Sequence, residues 1–438
     1  MSKDRGLQHA FETSIRESPV TILEGGRAVG KSTLCGTMAQ THKWPKPIDL
    51  SDPEALAQLR LDPLRYLRDL KGTVVIDEAQ LEPSLPLWVK RVVDDRAGRP
   101  GQFVLTGSAR LGRTQLGGSD PLAGRAQRLR MWSMTEAELG GFRDVSAARL
   151  FAREPFEVGT FIDESAQTDL WLRGGLPGIP GVLAPAGAST WARALAAYVD
   201  AVVPLGASPR VDHARLLRAF RYIAANPAQL LNVARMASEL DIKADTATSY
   251  IDQLETSFLL FRAEAHRPSE HKVLTAHPRI YCSDVGLSAW AMGLRIPGKL
   301  PNPLQRGSLL ENRVAVSLSA TAEWGKDRIA VRHWRDQRAK REVDLLLVHP
   351  DGRTVAIEVK ASMSVGPDDI VGISAFAAAN PDSFKAGYLV YTGDRVVDLT
   401  PKGLPKRAII AVPVAAFMGL DATAVGHRSG ASLQVRGK

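Results

Sequence analysis

The chain has 438 residues, enough for two or three domains, and its 45% hydrophobic and 24% charged content is that of a soluble, folded protein. Only two cysteines, Cys35 and Cys282, exclude a disulfide framework or a cysteine-based zinc cluster and fit a reducing cytoplasm. No apolar run approaches the ~20 residues of a membrane helix, no signal-peptide core opens the chain, and a net charge of +9 permits a nucleic-acid partner without requiring one.

In chain order, residues 19–24 are β-branched and apolar and read as a buried strand. Gly25 follows, then four residues, then Gly30, Lys31 and Ser32: a complete phosphate-binding loop opening a helix at residues 32–40. Glycine lets the backbone turn tightly and approach an anion, and the loop N–H groups and helix dipole attract phosphate. The nucleotide-binding set is therefore Gly25, Gly26, Arg27, Ala28, Val29, Gly30, Lys31, Ser32 and Thr33. Lys31 is expected to reach the β- and γ-phosphates, and the Ser32 hydroxyl to bind Mg²⁺.

After a short strand at 47–50, residues 73–78 form a buried-type strand ending in Asp77 and Glu78. Carboxylates at the C-terminal edge of a parallel strand lie where α/β sheets bind ligands. Asp77 is expected to order the metal shell and Glu78 to activate the attacking water. A third strand, 102–106, places Thr106 to sense the γ-phosphate or position the water, or merely to cap the strand. Arg125, before a last strand near 128–134, is a candidate arginine finger in cis or from a neighbouring subunit of a homo-oligomer, with Arg110 and Arg113 competing. Residues 1–140 thus read as an α/β P-loop ATPase module with a parallel sheet.

These segments resemble a prokaryotic family of AAA-type ATPases that carry a C-terminal domain of unknown function. The matching stretches are EGGRAVGKST (24–33), VIDEAQ (75–80), FVLTGSA (103–109), LAGR (122–125), GGLP (174–177), DVGL (284–287), GSLLEN (307–312), EVD (342–344) and IEVK (357–360). Gly26 and Ser32 stand where the family usually has Pro and Thr, and Val202, Val203 and Pro204 interrupt a usually charged helix. The resemblance implies ATP binding, an N-terminal AAA-like module and a C-terminal restriction-endonuclease-like fold.

Residues 141–270 turn mostly helical, and the glycine-rich 174–178 reads as a turn between helices. Helices at 214–226, 231–240 and 245–260, with a wing at 259–263, resemble a winged helix-turn-helix. Its third helix has three acidic residues and no Arg or Lys between 245 and 255, which favours packing or protein contact over reading base edges.

Residues 271–438 hold Glu311 in an amphipathic run, Asp344 at the start of an apolar strand, a turn at 350–353, and a return strand carrying Glu358 and Lys360. This order resembles the restriction-endonuclease-like superfamily. Asp344 and Glu358 are then expected to share Mg²⁺, with Lys360 orienting water and Glu311 completing the shell. Glu358 and Lys360 share a strand face. A two-residue Asp351–Gly352 turn would set Asp344 opposite Val359, on the wrong face. An odd loop or a bulge sets it opposite Glu358 or Lys360, the arrangement a working nuclease needs. Arg328, Arg332, Arg335, Arg338, Lys340 and Arg341 form a basic run just before these carboxylates, either a solvated face or a phosphate-backbone contact.

The expectation is a cytoplasmic, Mg²⁺-dependent AAA-type ATPase coupled to DNA or RNA through a nuclease-like C-terminal domain, with no membrane partner. The alternatives are an ATP-gated nucleic-acid-binding or protein-interaction regulator without cleavage, and an ATP-regulated nuclease of defence or repair.

Overall fold

A computed structural model describes residues 4–111, 120–141, 146–156, 172–183, 187–204, 211–266, 276–294, 302–336 and 339–420. Five parallel strands open the fold: β1 (Val20–Glu24), β2 (Ile48–Asp49), β3 (Val74–Asp77), β4 (Phe103–Gly107) and β5 (Ala126–Arg130), in the order β2-β3-β4-β1-β5. Their alternation sorts the core into two layers. Val20, Ile22, Val74, Ile76, Phe103 and Leu105 pack with Val89, Val92 and Val93 of the helix Leu85–Asp95. Leu23, Val75 and Val104 pack instead with Leu34, Cys35 and Met38 of the helix Lys31–Thr41 and with Phe11 of the helix Gln8–Glu17. Helices cover both faces, so the central strands are apolar on both sides, as parallel sheets require.

The middle contains the expected three helices: His213–Ala224, Val233–Leu240 and Ala244–Thr256. The Asp212 and Asn232 side chains cap the first two by accepting backbone N–H groups, and Asp241 takes a left-handed φ of 52° to turn the chain. A second sheet follows, built from β6 (Gln229–Leu230), β7 (Leu260–Ala265), β8 (Arg279–Cys282), β9 (Ala330–Asp336), β10 (Arg341–Val348), β11 (Thr354–Lys360), β12 (Phe384–Tyr391), β13 (Val397–Asp398) and β14 (Ile409–Pro413). Its order is β13-β14-β12-β11-β10-β9-β7-β8-β6. The wing and the C-terminal strands therefore share one ladder, joined where β7 pairs in parallel with β9, Glu264 opposite Arg332 and Ala265 opposite His333. Strands on both sides of residue 270, the expected division, belong to this sheet.

The 22-residue helix Pro303–Trp324 starts at an Asn302–Gln305 capping box and packs Leu310, Val314 and Leu318 onto Leu345, Leu347, Val355 and Ile357. The opposite face of the sheet packs on the helix Val371–Ala379 through Leu346, Ala356, Ile373 and Phe376. Among the described residues no helix is long and apolar enough to cross a membrane.

Candidate active site

The phosphate loop leaves the C-terminal end of β1 and enters the helix Lys31–Thr41 through Gly30, whose φ of 102° suits glycine alone. Gly25 is needed for a second reason: a Cβ there would lie 2.3 Å from the Met131 carbonyl oxygen. Lys31 is 6% exposed and donates from Nζ to the carbonyls of Gly25 (2.8 Å) and Gly26 (2.9 Å). These partners are neutral, so burial pushes the ammonium down to about 8 despite the pull of Glu78 and Asp77. Arg27, Ala28, Gly30, Lys31, Ser32, Thr33 and Glu78 line a cavity of about 720 Å³, within the range of small-molecule sites.

Asp77 lies 7% exposed at the end of β3. The Thr106 hydroxyl donates to it, and the Glu78 N–H donates to Asp77 Oδ1 (3.0 Å) and Thr106 Oγ1 (3.3 Å). Thr106 is fully buried, its hydroxyl held between the Asp77 carboxylate and the Glu78 N–H. Glu78 adopts a left-handed φ of 53°, and its Oε2 accepts from the Ser108 hydroxyl (3.1 Å) and the Gln80 amide. Gln80 also donates to Ser108 Oγ (3.0 Å). Gln80 and Ser108 had no role in the sequence reading, although both stand within the motif stretches.

Three further contacts on the loop come from distant sequence. Arg5 donates to the Val29 carbonyl (2.6 Å), the Trp132 carbonyl (2.8 Å) and Glu138 (2.9 Å). The Tyr198 hydroxyl donates to the Arg27 carbonyl (3.0 Å). The glycine-rich 174–178 segment, expected only to turn, lies on the loop itself: Gly178 N–H donates to the Ala28 carbonyl (3.3 Å), and Pro177 and Gly178 line the cavity. Gly175 is held by Asp284 Oδ2 (2.7 Å) and by the Met134 N–H (2.7 Å), and a Cβ on it would sit 2.0 Å from the Met134 oxygen. A cluster of glycines in one turn was the available signal for so close an approach.

Arg125 does not reach its own loop. It precedes β5, whose first residue, Ala126, pairs with Val20 at the start of β1, whereas the loop follows Glu24 at the other end. Its guanidinium is held by Asp94, through Nε (2.6 Å) and Nη2 (3.1 Å). The finger in cis is thereby corrected: in a parallel sheet the two ends of a strand face opposite edges. Arg110 lies 3.9 Å from Glu255, and Arg113 lies outside the described residues.

In the second sheet, Val348 pairs with Thr354 and Leu345 with Ile357, so the β10–β11 loop has five residues, with Gly352 at φ 90°. Continued by one residue, this odd register would set Asp344 opposite Glu358, and a bulge against β9 falls between Val343 and Leu346. Glu311, Asp344, Glu358 and Lys360 are thus brought together, and the Val359 N–H donates to Asp344 Oδ2 (3.0 Å). Sequence reading missed the cation among them. Arg279 of β8, 7% exposed in its side chain, sends Nη1 to Glu311 Oε1 (2.7 Å) and to within 3.3 Å of Asp344 Oδ1, and Nη2 to within 3.1 Å of Glu342. Tyr281 also donates to Glu311 Oε1 (2.8 Å).

Burial, then the charge of Asp344, pushes Glu311 up to about 8 against the pull of Arg279. Burial likewise raises Asp344, and burial with the Asp344 charge raises Glu358. Burial opposes the charge on Arg279, and Glu311, Asp344 and Glu342 together outweigh it. Lys360 Nζ lies 3.8 Å from Glu358. Among the described residues no group of three His, Cys, Asp or Glu side chains is arranged to hold a metal ion.

The basic run does not form one face. Arg332 and Arg335 are three apart on β9 and so point to opposite sides; Arg328, Lys340 and Arg341 are exposed, and Arg338 lies outside the described residues. In the winged unit, Asp252 and Glu255 of the acidic helix pair with Arg262 of β7, Glu255 at 3.3 Å.

Residues 17–140 match the profile of the AAA domain family. Residues 164–297 and 306–416 match two domains of unknown function, DUF8612 and DUF4143. Two mycobacterial relatives, Uncharacterized protein Rv2008c of Mycobacterium tuberculosis and Uncharacterized protein Mb2031c of Mycobacterium bovis, are each 28% identical over 350 residues, 79% of this chain and 71% of theirs. The Walker-type ATPase PABY2304 of Pyrococcus abyssi aligns over 65% of this chain and 94% of its own, at 15% identity and a TM-score of 0.42. AMPPCP-bound DnaA from Aquifex aeolicus aligns over 66% and 92%, at 14% identity and a TM-score of 0.29. Both structural likenesses are too distant to add to the argument. The N-terminal module is similar to AAA-type domains in sequence over residues 17–140 and carries the phosphate loop.

Proposed function

We propose that the chain is an AAA-type ATPase that binds and hydrolyses ATP with Mg²⁺. The observation that carries this reading is the buried ammonium of Lys31, held only by two carbonyls, at the wall of a cavity of about 720 Å³ shared with Ser32 and Glu78. A triphosphate would give that charge the anionic partner it lacks. The donors suit Mg²⁺, a hard cation that keeps several waters: Ser32 lines the cavity, and Asp77, buried at the end of β3, is near enough to pull on the Lys31 charge. Bound Mg²⁺ would neutralise charge on the β- and γ-phosphates. Glu78 is the general base, held in reserve by Gln80 and Ser108 until water and nucleotide are in place. Arg125, half-buried at the far edge and paired with Asp94, would have to exchange that partner to serve a neighbouring subunit of a homo-oligomer.

The coupled partner in this reading is DNA or RNA, supported by the net charge of +9 and the exposed Arg328, Lys340 and Arg341. The element order of the C-terminal region, a helix, three antiparallel strands, a helix and a parallel strand, supports a restriction-endonuclease-like fold. Strand cleavage is not part of the reading, because Arg279 pairs with Glu311 and Asp344, two of the carboxylates expected to serve a metal.

The test is phosphate release by the full chain with Mg²⁺-ATP, with and without single- and double-stranded DNA and RNA. Turnover stimulated by nucleic acid, left intact, is expected. Release that survives Lys31→Ala would refute the assigned site, and turnover indifferent to every nucleic acid would refute the coupling.

A further inference from the structure

We propose that Arg279 is the resident cation of the C-terminal carboxylate cluster, in the position a divalent metal would take, and that the cluster works as a metal-free fastening between the middle and C-terminal strands.

Both Asp344 oxygens already have partners: Oδ1 faces Arg279 Nη1 at 3.3 Å and Oδ2 accepts from the Val359 N–H at 3.0 Å. Glu311 Oε1 already accepts from Arg279 and from Tyr281. Glu358 Oε2 is buried without a hydrogen-bond partner, and Glu358 Oε1 lies 3.8 Å from Lys360 Nζ, so a second cation already stands beside the remaining carboxylate. A metal drawn to it would also face a guanidinium already paired with Glu311 and Asp344, and like charges so close in a buried site repel strongly.

The guanidinium is fixed in place. Its Nη1 also donates to the Ala228 carbonyl (3.2 Å), and arginine stays charged under any working condition. The cluster is closed above as well: a Cβ on Gly372 would lie 1.9 Å from the Glu342 carbonyl oxygen and 3.4 Å from Glu358 Oε2, so the start of the helix Val371–Ala379 roofs it. Arg279 and Tyr281 belong to β8, Glu311 to the long helix, and Glu342 and Asp344 to β10. One side chain therefore ties three elements together.

The test is Mn²⁺ binding to the full chain without nucleotide, followed by electron paramagnetic resonance of the free ion. Wild type and Asp344→Asn are expected to bind the same number of Mn²⁺ ions. Arg279→Met is expected to bind one more, and Arg279→Lys, which keeps a cation there, no more than wild type. A Mn²⁺ ion bound by wild type and lost in Asp344→Asn would overturn the proposal. So would an Arg279→Met protein that unfolds cooperatively, and is therefore folded, yet gains no ion. If Arg279→Met does not fold, the comparison of wild type with Asp344→Asn decides alone.

Discussion

The chain builds two buried charged centres, and they treat a cation in opposite ways. At the phosphate loop, Lys31 is held by carbonyl oxygens and opens on a large cavity. In the second sheet, Arg279 is ringed by Glu311, Glu342 and Asp344. The first centre leaves its charge unmatched and receptive to a phosphate anion. The second supplies both signs and neutralises itself. Carboxylates in a familiar order thus announce a metal site only when nothing else in the fold reaches them first.

The contrast can be broken at several points. Glu78→Gln keeps the shape of the first centre and removes its base; turnover is expected to fall by about 100-fold with ATP affinity little changed, read by single-turnover phosphate release and nucleotide titration. An equal loss of affinity would make Glu78 a binding residue instead. Gly175→Ala places a Cβ 2.0 Å from the Met134 oxygen and must displace the segment resting on the loop. A loss of ATP affinity of about tenfold is expected, since a small misplacement at such a site has a large effect. Unchanged affinity would make that contact incidental.

The two centres also separate by pH. Lys31 is held near 8 without nucleotide, so ATP affinity is expected to weaken as pH rises through that value, where the ammonium loses its proton. Binding flat from pH 7 to 9.5 would contradict this. Glu311 has its folded value raised to about 8 from an ordinary 4.5. Between those values the folded state holds a proton the unfolded state lacks, so its contribution to stability is full below about 4.5 and is lost as pH rises to about 8. Glu311→Gln removes that slope. Its melting temperature relative to wild type should climb by a few degrees between pH 5 and 8.5, with ATP turnover within about twofold.

Legibility in the sequence followed distance along the chain. Strands β1, β3 and β4 are readable because each is a short apolar run, and the phosphate loop because all its parts lie within nine residues, 25–33, whereas β5, Ala-Gln-Arg-Leu-Arg, offers no such run. The turn at 350–353 was readable, but its five-residue loop and the neighbouring bulge are choices between registers that patterning leaves open. Arg125 misled because a motif position carries no information about which end of a strand it occupies. Arg279 was invisible because its partners lie on β10 and the long helix, and nothing in residues 276–282 marks it out. The glycines at 174–178 read as a turn in sequence, but the contacts of Gly175 and Gly178 with Met134 and Ala28 belong to the tertiary fold alone.

The two-residue pairing of β7 with β9 has a mechanical consequence. It is reinforced by the His266 N–H, which donates to the His333 carbonyl at 2.6 Å. Because backbone hydrogen bonds run unbroken from β6 to β13, the wing and the C-terminal strands act as a single plate. Any tilt imposed at the nucleotide end of β8, where Asp284 grips Gly175, is carried to the far edge without a joint.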